Sequence, residues 1–209
     1  MLRMANGKFV DTIGSFKAVW KFASDPTKSW KITFYVVNKL VHDAVLGKDF
    51  LMCSETMTKH RHRLSRLKKP IHTLQGLQML SVNNIGAVTQ RLQGMIVGDP
   101  VEALPDSGSE PNLLSLNYVI RRGFHDLVNT NDIRMIQLAD GTVQKTMGSM
   151  WLNWAYASSS GDNSDKWFEH FVEFHVLDGC AYDVILGQDV LKDTDAFVTH
   201  EGSFGAFGA

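Results

Sequence analysis

The chain has 209 residues, a formal net charge of -1 at pH 7 and two cysteines. That length suffices for one large domain or two small ones with a buried core, and the near-zero charge excludes a polycation that grips nucleic acid over its whole surface. Cys53 and Cys180 form no disulfide framework, no apolar run approaches a membrane span, and the N-terminus lacks a charged-then-apolar leader. The expectation is a soluble intracellular protein with no membrane partner.

Taken in order, residues 2–10 read as a hairpin around an Asn-Gly turn. Trp20-Lys21-Phe22 then leads through the loop Ser24-Asp25-Pro26-Thr27 into Trp30–Val37, apolar enough on both faces to predict a buried strand. Residues 43–51 carry Gly47 between an apolar pair and a polar-apolar run. Lys59-His60-Arg61-His62-Arg63 and the basic residues up to Pro70 read as a solvated linker. No aromatic residues interleave there to stack on bases, and no Cys or carboxylate completes a metal set around His60 and His62. Neither nucleic acid nor metal is expected as a partner.

From about Ile85 the chain is richer. Gly86–Val97 reads as a long strand in which Gly94 permits a bend or bulge, and Gly98-Asp99-Pro100 turns it back through Val101–Leu104. Asp106-Ser107-Gly108-Ser109 forms a tight loop between apolar flanks. Ser115 is placed to N-cap a short helix over 116–122 that Gly123 ends. Residues 136–143 predict a hairpin with an Asp140-Gly141 turn. Met150, Leu152, Trp154 and Tyr156 alternate, and Phe168, Val172, Phe174 and Val176 share one parity, as core-facing strands do. These aromatics need no cofactor to explain them. A polar loop follows at 158–165, then Val184-Ile185-Leu186-Gly187 and a helix start, while 202–209 reads as a flexible tail without a terminal strand.

The pattern occurs twice. Met4, Ala5 and Gly7 match Leu138, Ala139 and Gly141, 134 positions on, and Asp43–Leu51 matches Asp183–Leu191, 140 positions on. The six-residue difference fits an insertion in the polar loop at 158–165. The first copy has no Asp-Ser-Gly loop before it. The expected organisation is a truncated repeat over 1–64, a basic linker over 65–84 and a complete domain over 85–209. Either an N-terminal half lies outside this sequence or 1–64 is a structural appendage; unpaired strand edges favour the first.

An Asp-Ser-Gly loop between strands holds a carboxyl in place by neighbouring N–H groups, which suits general acid/base chemistry. By chance the tripeptide class arises in roughly one chain in ten of this length, so the ordered companions matter. Leu104-Pro105-Asp106-Ser107-Gly108-Ser109, the hairpin at 136–143 and Val184–Gly187 in this order resemble the retropepsin-like aspartic proteases of retroviruses and retrotransposons. The resemblance covers about 85 to 200 and implies a mainly-β acid-protease barrel, with an incomplete second copy of it at the N-terminus. It implies that Asp106 is the catalytic carboxylate, Ser107, Gly108 and Ser109 shape its loop, Leu186 and Gly187 support it from beneath, and Ala139, Asp140 and Gly141 form a substrate-binding flap. Gln188 stands where many viral members carry Arg, opposite Glu110.

Such chemistry uses two carboxylates sharing one proton, because like charges at that range cannot both ionise. One acts as base on a water, the other as acid on the scissile carbonyl. This chain offers one, so a two-fold homodimer cleaving extended polypeptide is expected, with no cofactor. The alternative is an inactive barrel serving as a binding or assembly module.

Overall fold

The computed structural model describes residues 1–64, 72–82, 90–157 and 169–206. The expected polar loop at 158–165, Phe168, most of the basic run after Leu64, the start of the strand expected from Gly86 and the last three residues of the tail lie outside them.

Strand β1 (Leu2–Arg3) pairs with β2 (Phe9–Val10) around Gly7, whose φ of 79° is left-handed and suits glycine. A long hairpin follows, β3 (Thr12–Phe22) and β4 (Asp25–Val37), forming a two-stranded sheet of its own. Such a ribbon is marginal alone. Its stability comes from an aromatic cluster in which Trp20, Phe22 and Trp30 meet Phe50 of helix α1 (Lys48–Cys53) at ring separations of 6.0 to 6.3 Å.

After β5 (Thr73–Leu74) and β6 (Leu77–Val82) comes the main sheet. Strands β7 (Gln90–Ile96) and β8 (Asp99–Pro105) form a hairpin, β9 (Asn112–Ser115) leads into helix α2 (Leu116–Arg121), and β10 (Met135–Leu138) and β11 (Val143–Lys145) form the Asp-Gly hairpin. Then come β12 (Gly148–Tyr156), β13 (Glu169–Leu177), β14 (Val184–Leu186), helices α3 (Gln188–Asp193) and α4 (Ala196–Thr199), and β15 (Phe204–Ala206). The order β12-β13-β9-β14-β8-β7 closes on itself through β12–β7 pairing, a six-stranded barrel in a mainly-β molecule. Separately, β11-β10-β6-β5 form a four-stranded sheet.

Local chemistry explains the boundaries. The Ser115 Oγ accepts the Tyr118 N–H at 3.0 Å and caps α2, which Gly123 ends at a φ of 68°. The barrel core takes Met150, Leu152, Trp154 and Tyr156 from β12 and Val172, Phe174 and Val176 from β13, the parity that alternation predicts. The other face leaves Trp151 and Phe171 exposed, stacked at 5.2 Å.

Several expectations are corrected. Trp30–Val37 is not buried on both faces: Trp30, Ile32, Phe34 and Val36 turn inward while Lys31, Thr33 and Tyr35 are exposed, because the sheet has only two strands and no second layer outside. Gly94 makes no bend. It pairs in register with Val101, and a Cβ there would lie 2.3 Å from the Trp154 ring, so its bareness seats the indole. The 65–84 stretch is not a linker throughout: Leu77–Val82 is a strand parallel to β10, held because its apolar residues have a sheet edge to complete. The basic run is not solvated at Arg63, which is 2% exposed; its guanidinium lies 4.2 Å over Phe22 and donates to the Ser54 carbonyl at 2.9 Å. The tail contributes a strand after all, since Phe204–Ala206 extends β7. Residues 1–64 also share the second core: Met4, Ala5 and Leu40 pack with Leu138, Ala139, Ile185 and Cys180. Among the described residues, no helix is long and apolar enough to cross a membrane.

The packing at Gly94 sets a stability test. Gly94→Ala is expected to destabilise the fold by about 1–3 kcal/mol through overpacking, read as a lower urea midpoint at unchanged m; an unaltered midpoint would refute the seating of Trp154.

Candidate active site

The Asp loop is built by threading. Strands β8 and β9 flank it in sequence, yet they do not pair with each other. Instead β14 runs between them, parallel to β8 (Ile185↔Leu104) and antiparallel to β9 (Ile185↔Leu113). The chain at 105–112 must therefore arch over the end of β14, which places Leu186 and Gly187 directly beneath it. The Asp106 N–H donates to the Leu186 carbonyl at 2.9 Å, and the Gln188 N–H donates to the Ser109 carbonyl at 2.8 Å. Gly187 donates to Asn112 Oδ1 at 2.8 Å. A Cβ on Gly187 would come within 2.6 Å of the Pro111 carbonyl oxygen. Only glycine fits.

Within the loop, Asp106 is buried. Its Oδ1 accepts the Gly108 N–H at 2.9 Å, whereas Oδ2 is buried with no hydrogen-bond partner among the described residues. Burial pushes this carboxyl from an ordinary 3.8 up to about 6, while the N–H groups of Gly108 and Ser109 pull the other way. Ser109 is fully buried and donates to the Pro111 carbonyl at 2.7 Å. Ser107, by contrast, is exposed. It lines a cavity of about 670 Å³ whose far wall is Met57, Arg61 and Leu64, and whose floor includes Gln188 and Leu191. Arg61 pairs with Asp195 across this boundary.

The flap residues are elsewhere in character. Gly141, at a φ of 82°, closes a tight turn in which both Asp140 carboxylate oxygens accept from Thr142 at 2.9 Å. The turn expected as a substrate-binding flap is packed against the N-terminal segment: Ala139 is buried and its carbonyl accepts the Val41 N–H at 2.9 Å. The N-terminal segment holds it. The structure thus brings Asp106, Ser107, Gly108, Ser109, Leu186 and Gly187 together, and joins 139–141 to them through β6, which pairs with β10 on one side and meets Ser109 and Glu110 on the other, and through the core that Leu138 and Ala139 share with Leu104 and Ile185. The Glu110 carboxylate accepts the Ser81 N–H at 2.8 Å.

Sequence reasoning missed Asn112 and Ser81. Asn112 also donates to the Glu173 carbonyl at 3.0 Å, tying the loop to β13. Its position just after the loop was the available signal; Ser81 gave none. Among the described residues, no group of His, Cys, Asp and Glu is placed to hold a metal. A buried, fixed acid with one open oxygen can donate or accept a single proton at mildly acid pH. It cannot by itself do both halves of a hydrolysis.

No protein-family model matches the chain. No curated protein matches it. Among solved structures, the retroviral protease-like domain of Ddi1 from Leishmania major aligns over 52% of this chain and 80% of its own, at 18% identity and a TM-score of 0.36. The simian foamy virus (mac) protease aligns over 52% of this chain and 96% of its own, at 13% identity and a TM-score of 0.34. The mainly-β closed barrel is the fold class expected from the sequence, and within it β14 runs between the two strands that flank the Asp loop.

The raised pKa of Asp106 makes stability depend on pH. Between about pH 4 and pH 6 the folded chain holds the Asp106 proton that the unfolded chain has released, so this group's contribution to stability is present below pH 4 and lost as pH rises through about 6. Relative to Asp106→Asn, the wild type is expected to lose about 2 kcal/mol across that window, measured as urea midpoints from pH 4 to 8. Parallel profiles would show the carboxyl to be solvated.

Proposed function

We propose that the chain carries one half of an aspartyl centre for hydrolysing peptide bonds in extended polypeptide. The supporting observation is the buried Asp106 carboxyl, fixed through Oδ1 by Gly108 and left open at Oδ2. In this reading Asp106 faces a second Asp loop across a two-fold axis. The two acids share a proton: the ionised one takes a proton from the attacking water, and the neutral one donates to the carbonyl oxygen as the tetrahedral intermediate forms. Ser107, exposed beside Asp106, braces the two loops, and the glycine at 108 lets a substrate backbone approach.

The expected source of the second loop is a second copy of the chain, although the reading needs only that a second loop be supplied. Residues 1–64 fit a truncated repeat of the same unit rather than an unrelated appendage. Seven consecutive pairs from Gly14↔Val36 to Trp20↔Trp30 recur as Gly148↔Val176 to Trp154↔His170. Helix α1 spans Lys48–Cys53 and α3 spans Gln188–Asp193, each after an extended glycine and each followed by a left-handed acidic residue, Glu55 and Asp195.

A second reading is an inert binding module, favoured by the absence of any carboxylate bonded to Asp106 among the described residues. Incubation of the concentrated chain with an unfolded protein substrate from pH 3 to 7, with products identified by mass spectrometry, separates the two. Cleavage that falls on the order of 10²–10⁴-fold in Asp106→Asn supports hydrolysis. No cleavage at any pH, or equal cleavage by the variant, supports the module.

A further inference from the structure

The contacts between residues 1–64 and the barrel are reciprocal. The Ala181 N–H donates to the Ala5 carbonyl at 2.7 Å, and the Val41 N–H donates to the Ala139 carbonyl at 2.9 Å. Ala5 matches Ala139 in the repeat, and Val41 matches Ala181, so each contact is the other with the copies exchanged. The turn glycines repeat the relation: a Cβ on Gly7 would lie 3.9 Å from the Ala181 Cβ, and one on Gly141 would lie 3.9 Å from Val41 Cγ2. Residue i meeting j while j meets i is the mark of a two-fold interface. Here the interface lies within a single chain.

The two halves of this frame are unequally covered. In the barrel, the inner face of β12–β13 lies under β7, β9 and α2, with Leu92, Ile96, Leu114 and Tyr118 in one core with Trp154 and Phe174. Strand β12 pairs with β7 and β13 with β9 along its two edges. Residues 1–64 contain no counterpart of 90–121. The matching face of β3–β4 is covered by Phe50 and Arg63 at the Trp20, Phe22 and Trp30 end and open at the other: Phe16 is 53% exposed where its counterpart Met150 is 3% exposed, and both edges of the two-stranded sheet are unpaired among the described residues.

We infer that the inner face and unpaired edges of β3–β4 are the docking site for a polypeptide segment of the kind formed by 90–121, a strand pair carrying an Asp-Ser/Thr-Gly loop and a short helix. This inference rests on the aspartyl reading above and names where its second loop sits. The occupant is identified by the molecule itself, since the same hairpin in the same register is covered by that element in the other half. Docking adds strands to both edges of β3–β4, so main-chain hydrogen bonds supply affinity and alternate apolar side chains supply specificity. The cavity between Ser107 and the wall formed by Met57, Arg61 and Leu64 lies on the boundary between the copies, where the incoming loop meets the resident one.

The test uses the full chain and a synthetic peptide with the sequence of residues 90–121, alongside a scrambled peptide. Hydrogen exchange followed by mass spectrometry is expected to show saturable slowing, tenfold or more, over residues 12–37 with the first peptide alone. Phe16→Asp, a change at a half-exposed position, is expected to weaken binding at least tenfold while leaving exchange in the barrel strands unaltered. Unchanged exchange over 12–37 at saturating peptide overturns the docking site. Peptide-bond cleavage distinguishes the two levels of the argument. Protection without cleavage leaves the docking site standing and removes the aspartyl reading, whereas cleavage by the chain alone, unaffected by the peptide, keeps the aspartyl reading and overturns the docking site.

Discussion

Everything near the site follows from one burial that the fold does not fully compensate. A carboxyl removed from water needs partners for both oxygens, and an unmatched buried acceptor costs about 1–3 kcal/mol. Among the described residues, Asp106 receives a partner at Oδ1 and none at Oδ2. The loop does not relax to relieve this, because it is held from three directions: Leu186 below, Asn112 and its bond to Gly187, and Ser81 against Glu110. The glycine at 187 is part of the same constraint, since any side chain there would lift the loop off β14. A rigid scaffold thus keeps the buried carboxyl from turning out to water, which is the condition the proposed acid/base role requires.

Set side by side, the two stretches proposed as copies agree more in geometry than in composition. Trp20 and Trp154 keep the same residue at the same register, as do Phe34 and Phe174, but Ala18 stands against Leu152 and Trp30 against His170. The backbone is more faithful than the side chains. Gly7 and Gly141 hold left-handed turns, and Glu55 and Asp195 take φ values of 54° and 51° after their helices despite the cost to a residue with a Cβ. Where two stretches of different composition adopt the same unfavoured dihedral after the same helix, the cause is how the helix must end to pack. In α1 and α3 that packing is shared, since Leu51 and Leu191 both reach the barrel core.

How legible this was in the sequence depended on the distance over which each signal acts. The Ser115 cap, the Gly7 and Gly141 turns and the inward parity of β12 and β13 are written within a few residues, and they were readable. The Asp loop with its supporting Leu186-Gly187 was readable too, but only through the family resemblance, because their contact spans some eighty positions. What escaped was set by partners far away. Leu77–Val82 becomes a strand only because β10 and Ser109 offer it edges, and its neighbourhood of basic residues hid that. Arg63 reads as one more surface charge until Phe22 and Trp30 are folded over it. Trp30–Val37 has the composition of a central strand, yet a strand's burial is decided by what lies on either side of it, and here one side is water.

That last misreading carries more weight than a boundary error. A run composed for burial on both faces, found in a hairpin whose edges are unpaired among the described residues, has local preferences that its surroundings there do not satisfy. Aromatic residues left half covered are costly to maintain in isolation and open to unwanted association. The barrel demonstrates how the identical ribbon is satisfied, down to the residue pairs on each edge. The reciprocal bonds through Ala5, Val41, Ala139 and Ala181 hold the uncovered ribbon and the Asp106 loop in one two-fold frame. On the reading proposed above, electrostatics and packing meet in one element: a second Asp loop would partner the Asp106 carboxyl, and the strands flanking that loop would cover the aromatic face of β3–β4.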